Sequence, residues 1–260
     1  MITSTSNARI KNVVLLQKKA KEREEQGLFV VEGRKMFFEI VRDAPERVRE
    51  VYASEEFLSE YADKIPNDIC VETVSDAVMK VMTETLEPQG IIALVEIPVF
   101  PRELLHKENS FWIALENLRD PGNLGTIIRT AEAAGATGVL LSKESVDIYN
   151  PKVTRSTMGA IFRVPHFYSK DFYGELAELK KEGAVLFAAH LQGKDYFDHQ
   201  DYSGRVILLI GNEANGLSDA VSELADRRIR IPMEGKVESL NAAVATALVS
   251  YEIYRYKRNN

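Results

Sequence analysis

The chain has 260 residues, of which 45% are hydrophobic and 28% charged, and its formal net charge is -6. That length suits one large domain or two modest ones, and the hydrophobic fraction excludes a disordered chain. No apolar run approaches the ~20 residues of a membrane span. The first residues lack the charged-then-apolar layout of a signal peptide, and one cysteine, Cys70, cannot form an intrachain disulfide, so a cytoplasmic location is expected.

In chain order, residues 7–25 predict a helix that mixes Ile10, Val13, Val14 and Leu16 with basic residues and stops at Gly27. Residues 1–40 carry eight Lys and Arg against five Glu, a local basic excess in an acidic chain. Composition predicts a strand at 28–31, a helix at 34–42, a strand at 49–53, a helix at 55–63, a strand at 70–73, a helix at 75–82 and a strand at 91–96. Pro98, Phe100 and Pro101 then interrupt regular structure, which places a first domain at 1–98 and a linker at 99–110.

Residues 111–260 alternate cleanly. Strands are predicted at 111–116, 137–141, 185–190, 205–210 and 228–231, with helices near 124–134, 151–160, 171–182, 217–225 and 239–256. Such alternation predicts an α/β fold with a parallel sheet covered on both faces. In the last helix Leu240, Ala243, Val244, Ala247, Leu248 and Tyr251 recur at helical spacing and form one apolar face.

Several common chemistries are excluded by motif. The chain has no G-x-G-x-x-G and no G-x-S-x-G, its four histidines show no metal-ligand spacing, and Leu217 stands where a phosphate loop needs its lysine. No metal is expected.

Three polar segments remain, each at a strand's carboxyl end, where ligands of parallel sheets bind. In the first, Glu116 to Ala131, a Pro-Gly turn leads into a helix beginning near Asn123. Its amino terminus suits an anion, and Arg129 in the second turn offers forked donors to a phosphate or a developing oxyanion. In the second, Ile207 to Gly216, a buried strand runs into Gly211, Asn212 and Glu213, where glycine lets the backbone approach a ligand. In the third, Ile229 to Ala245, Ser239 is placed to cap the last helix, with Asn241 inside its first turn.

Together these segments resemble the three motifs of the SpoU/TrmH-type RNA ribose 2'-O-methyltransferases of the SPOUT superfamily. Asn123 to Arg129 stands for the first motif, Ile210 to Glu213 with Gly216 for the second, and Ile231 to Met233 with Ser239 to Asn241 for the third. Phe29 to Gly33 carries a further likeness, to small ribosomal RNA-binding proteins.

The resemblance implies a C-terminal SPOUT domain at 111–260, with a parallel sheet and a deep trefoil knot. A smaller α/β substrate-binding domain would precede it. It implies S-adenosylmethionine as cofactor, contacted around Leu191, Gly211, Ile231, Met233 and Leu240. It also implies methylation of a ribose 2'-hydroxyl by Arg129, Asn123, Glu213, Ser239 and Asn241, and a homodimer through the C-terminal domain with both chains at each site. The RNA is expected to be large-subunit ribosomal RNA, contacted by Arg9, Lys11, Lys18, Lys19 and Lys21. A tRNA methyltransferase, a non-catalytic RNA-binding protein on the same fold, and a methyltransferase acting on small molecules or proteins are the alternatives.

Overall fold

The computed structural model describes residues 1–260, which divide into two compact units. The first unit contains residues 1–99 and 147–162, and the second contains 100–146 and 163–260. No helix is long and apolar enough to cross a membrane.

The first unit begins with α1 (Ala8–Lys18) and α2 (Ala20–Gln26), separated by Lys19 in extended backbone. The single helix expected over 7–25 is therefore broken. The reason is Arg23, which the sequence grouped with the surface charges. It is buried, donates to the carbonyls of Leu16 and Gln17 at the end of α1, and pairs with Asp147. Gly27 ends α2 in the left-handed conformation.

The unit continues with β1 (Leu28–Glu32), α3 (Arg34–Asp43), β2 (Val48–Ala53), α4 (Glu55–Tyr61), β3 (Val71–Thr73), α5 (Asp76–Met82) and β4 (Ile91–Glu96). The strands lie in the order β1-β4-β2-β3, with β4 antiparallel to both neighbours. Ile10, Val13 and Leu16 of α1 pack with Val30, Tyr52, Val78, Met82 and Ile92 in one core.

The second unit carries β5 (Phe111–Leu115), α6 (Pro121–Ala133) and β6 (Gly138–Ser142). Next along the chain comes α7 (Pro151–Thr157), which folds with the first unit. The sequence assigned this helix to the C-terminal domain. In the structure Tyr149 and Phe162 lie against Phe29, and Arg155 reaches the buried Glu32 carboxylate at 3.1 Å. These contacts make residues 147–162 part of the first unit although they sit between strands of the second.

The remaining elements are β7 (His166–Ser169), α8 (Phe172–Lys181), β8 (Val185–Ala189), β9 (Asp195–Tyr196), β10 (Val206–Ile210), α9 (Asp219–Leu224), β11 (Arg227–Arg230) and α10 (Ala242–Asn259). Seven parallel strands form the order β7-β6-β5-β10-β8-β11-β9. The two strands that composition did not reveal, β7 and β9, are the two edges. β7 and β9 are only four and two residues long, and neither carries the continuous apolar run of the central strands. The central strands β5, β6 and β10 are buried at every residue.

Helix α10 differs from expectation in two respects. It begins at Ala242, and its cap is Asn241, whose side chain accepts from the Ala243 and Val244 amides. Ser239 lies before the helix, exposed, and does not cap it. The helix also buries a different face, through Ala243, Thr246, Val249, Ser250 and Ile253, while Val244, Leu248 and Tyr251 are exposed.

Candidate active site

Because every strand of the large sheet runs the same way, the carboxyl ends of β5, β10, β8 and β11 open on one side. The three polar segments meet there. Helix α6 starts at Pro121, and its cap is Asp120, whose carboxylate accepts from the Asn123 amide at 2.7 Å. Asn123 is thus the third residue of α6 rather than its cap, and its side chain is left for another task.

That task is a relay between segments. Asn123 Nδ2 donates to Glu213 Oε1 at 3.0 Å, and Asn241 Nδ2 donates to Asn123 Oδ1 at 2.9 Å. The Glu213 carboxylate also accepts from the amides of Asp120 at 3.2 Å and Arg119 at 3.4 Å. Partial burial works to raise the Glu213 pKa, but the hydrogen bonds from Asn123 and the backbone outweigh it and hold the carboxyl below its ordinary value. An ionised Glu213 can only accept, which orients the Asn123 amide and leaves its oxygen facing Asn241.

The loop carrying Glu213 is built rigidly. Asn212 and Gly216 form an antiparallel bridge, and a Cβ on Gly211 would lie 2.1 Å from the Gly216 carbonyl carbon. Only glycine permits that approach. Asn212 Nδ2 donates to the Asn117 carbonyl at 2.7 Å, and Asn117 sits at φ 54° with its amide bonded to Ser142 Oγ. The buried Glu116 carboxylate accepts from both the Ser218 amide at 2.7 Å and the Ser218 hydroxyl at 2.6 Å. Sequence reasoning placed Asn212 in this loop but assigned no role to Glu116, Asn117, Ser142 or Ser218. The available signal was an acid and an amide directly following the apolar run Phe111–Leu115, where burial demands partners. A cleft of about 910 Å³ lies over this loop, lined by Asn117, Arg119, Asp120, Asn212, Glu213 and Ser218 among others.

Of the five residues expected to carry chemistry, the structure brings Asn123, Glu213 and Asn241 together and leaves Arg129 and Ser239 apart. Both are exposed, and neither has a hydrogen-bond or ion-pair partner within the chain. Since α6 begins at Pro121, Arg129 belongs to its third turn rather than its second. Six residues of helix separate Asn123 from Arg129 by roughly 120° around the axis and about 9 Å along it. The guanidinium therefore projects from a different face than the Asn123 relay.

The expected cofactor contacts fall on three loops from neighbouring strands. Leu191 follows β8, Gly211 follows β10, and Ile231, Met233 and Leu240 belong to the stretch after β11. Residues 231–240 form no helix or strand, so their amides and carbonyls are not consumed by regular structure. Leu191 is exposed, and Ile231, Met233 and Leu240 are half-buried. Gly193 packs so closely on β11 that a Cβ would lie 2.6 Å from the Arg228 carbonyl oxygen. Free backbone groups beside apolar side chains suit a flat heteroaromatic ligand with an apolar appendage.

On the first unit, Lys11, Lys18 and Lys19 are exposed. Arg9 is instead held by Glu50 at 3.2 Å and Glu72 at 3.3 Å, and Lys21 pairs with Glu25 at 3.5 Å. The basic helix is thus partly neutralised by its own neighbours.

Known proteins resemble the chain in both units. The profile of the SpoU rRNA Methylase family matches residues 110–251, and that of the MRM3-like substrate binding domain matches residues 7–93. The chain is 33% identical over 257 residues to the 23S rRNA (guanosine(2553)-2'-O)-methyltransferase RlmP of Bacillus subtilis, covering 97% of this chain and 98% of that one. It is 30% identical to the 23S rRNA (uridine(2479)-2'-O)-methyltransferase of Streptomyces viridochromogenes, covering 98% of this chain and 92% of that one. The SpoU methyltransferase AviRb from Streptomyces viridochromogenes, in complex with AdoMet, superposes with a TM-score of 0.85 at 29% identity, covering 98% of this chain and 99% of that one. A likeness to the A. aeolicus TrmH/SpoU tRNA modifying enzyme has a TM-score of 0.53 at 29% identity and covers 61% of this chain and 81% of that one.

Proposed function

The chain belongs to the SpoU rRNA methylase family, and from that premise we propose that it transfers a methyl group from S-adenosylmethionine to a ribose 2'-hydroxyl of RNA. The observation that carries the proposal is the Asn241–Asn123–Glu213 relay, which ties all three motif segments together beside the cofactor loops. Two relatives that match both units, those of Bacillus subtilis and Streptomyces viridochromogenes, are named for 23S ribosomal RNA, whereas the A. aeolicus tRNA-modifying likeness spans a smaller share of the chain. That difference favours large-subunit ribosomal RNA as the substrate, and a single exposed, free cysteine is compatible with the cytoplasm as the place of reaction.

The residues present fit the cofactor, since the stretch 231–240 after β11 offers backbone groups outside regular structure beside Ile231, Met233 and Leu240, with Leu191 and Gly211 on the neighbouring loops. S-adenosylmethionine, when bound, supplies a methyl carbon made electrophilic by its sulfonium. The 2'-hydroxyl is a weak nucleophile, so the protein must align it and stabilise the charge that develops as its proton leaves. Arg129 is suited to hold the developing oxyanion and an adjacent RNA phosphate. A guanidinium has no acceptor, so a phosphate oxygen takes the proton. Asn123, Glu213 and Asn241 fix the loops, and the exposed Ser239 offers a hydroxyl to ribose or cofactor.

Arg129 projects away from its own chain's relay, and Val244, Leu248 and Tyr251 form an exposed stripe on α10. Both features support a homodimer through the C-terminal domain, in which each site takes Arg129 from the partner subunit. Packing of α10 on α6 and on residues 197–199, after the chain has left β11, supports a knotted C-terminal segment. Lys11, Lys18 and Lys19 are read as RNA contacts on the first unit, with Arg9 and Lys21 contributing less because carboxylates already face them.

The test is transfer of labelled methyl to ribosomal RNA from a strain lacking the gene, with nucleoside analysis. Label in a 2'-O-methylated nucleoside, lost in Arg129→Ala with the fold intact, is expected. Bound cofactor with no labelled RNA would favour the non-catalytic RNA-binding alternative.

A further inference from the structure

The arginines of the second unit that lie on or beside its sheet and helices differ in their partners. Arg102, Arg163, Arg205 and Arg255 each face a carboxylate: Glu175, Glu132, Glu182 and Glu252. Arg227, Arg228 and Arg230, three of the four residues of β11, face none. All three are exposed, while Ile229 between them is 1% exposed and anchors the strand. In a chain of net charge -6, three adjacent arginines without acids amount to a confined cationic strip.

The strip has a defined shape. Arg230 lies directly opposite Tyr196 of the edge strand β9, and paired residues of parallel strands share a face. Its guanidinium carbon sits 4.6 Å from the Tyr196 ring centroid, and its Nη2 donates to the Tyr196 hydroxyl at 2.8 Å. Arg228, two residues earlier and so on that same face, uses its Nε on the Ser222 carbonyl at 3.0 Å, which leaves its other nitrogens outward. Tyr196 is 39% exposed and has no other aromatic neighbour than His199 at its edge. Ile231, the next residue after Arg230, opens the cofactor stretch, and Gly193 seats the Leu191 loop on the backbone of Arg228 and Ile229.

We propose that the β9–β11 edge is a second RNA-contact surface, on the catalytic unit, where Arg228 and Arg230 hold consecutive phosphates and an unpaired nucleobase stacks on Tyr196. Cations along one face bind a polyanionic backbone, and an exposed aromatic ring among them takes an unstacked base. An aromatic ring pinned by an arginine loses little freedom on stacking, so the platform is prepared before RNA arrives. The surface borders the cofactor loops, so RNA held there is kept next to the reacting centre. The inference rests on the proposed RNA methyltransferase activity for its biological meaning, but its binding test does not require turnover.

The test uses the full-length protein with a fluorescein-labelled single-stranded 20-nucleotide RNA, read by anisotropy at several salt concentrations. Arg228→Gln/Arg230→Gln is expected to weaken binding roughly tenfold and to flatten the salt slope by about two. Tyr196→Ala is expected to weaken it about fivefold with little change in slope, and Tyr196→Phe to restore it. With methylatable ribosomal RNA, the double arginine variant and Tyr196→Ala raise KM, Tyr196→Phe does not, and all leave kcat and S-adenosylmethionine affinity unchanged. Unaltered RNA affinity and salt slope in both Arg228→Gln/Arg230→Gln and Tyr196→Ala, with the wild type binding normally, would overturn the surface while leaving the methyltransferase reading intact. A wild type that binds this RNA through Tyr196 and Arg228 but methylates none would keep the surface and sink the activity.

Discussion

Asn241 and Asn123 lie 118 residues apart in sequence and share a 2.9 Å hydrogen bond between their side-chain amides. The bond joins the cap of the last helix to the first turn of α6, and through Asn123 it reaches Glu213. Asn241 has two duties, since its Oδ1 caps α10 while its Nδ2 holds Asn123. Substituting Asn241→Ala removes both. Loss of the cap costs about 1 kcal/mol, whereas Asn241→Asp keeps the cap and turns the donor into an acceptor facing Asn123 Oδ1. Asn241→Asp is therefore expected to retain thermal stability within a few degrees and to lose most methyl transfer. Equal activity of Asn241→Asp and wild type would show that the relay does not serve the reaction.

Gly211 offers a stricter test of the loop that carries Glu213. A Cβ there would lie 2.1 Å from both the Gly216 carbonyl carbon and the Leu217 nitrogen, so Gly211→Ala must push the loop open. Cofactor affinity measured by calorimetry should fall at least tenfold, together with activity. Normal affinity in that variant would mean that the loop's tight closure is irrelevant to the cofactor.

His166 makes a pH prediction. Its burial pushes the imidazole pKa down from 6.5 to about 4, against a small raising effect of the Val164 carbonyl that its ring nitrogen faces at 2.9 Å. The unfolded chain therefore binds a proton near pH 6.5 that the folded chain refuses until about pH 4. Stability from this group is complete above about 6.5 and is lost as pH falls towards 4, at about 1.4 kcal/mol per pH unit within that window. The melting temperature should drop between pH 7 and pH 5, and the drop should shrink in His166→Gln. An identical pH profile in the variant would assign the titration elsewhere.

Arg23 and Asp147 test whether the first unit needs its inserted segment. The Arg23 side chain is 5% exposed and Asp147 is its carboxylate partner, bonded through Nε at 3.0 Å. Removing one member of such a pair leaves a charge without its counterion, at a cost of about 3 kcal/mol. Arg23→Met, which fills the space without charge, should be milder than Asp147→Ala in thermal unfolding. A fragment of residues 1–98 lacks Asp147, Tyr149, Arg155 and Phe162, and it is expected to melt well below the full chain. A fragment as stable as the intact first unit would show that residues 147–162 are incidental to it.

Much of this protein is legible from local pattern. The alternation of buried apolar runs with amphipathic segments gave the central strands and most helices, because two-sided burial leaves a continuous signal in composition. The motif residues at the ends of β5, β10 and β11 were legible as ligand-facing because a parallel sheet places its cleft there. Edges escaped: β7 and β9 are only four and two residues long, too short to show a strand's alternation.

What tertiary structure alone decided is which groups meet. No spacing states that Asn123 bonds Asn241, that Glu116 holds Ser218, or that Arg23 is buried against Asp147 instead of facing solvent among its basic neighbours. It also decided that Asp120, not Asn123, caps α6, which frees the Asn123 side chain for the relay. Sequence records how each segment prefers to fold because those preferences act over a few residues. Partners separated by a hundred residues are chosen by packing, where burying a polar group requires that its hydrogen bonds be met by whatever the fold brings alongside.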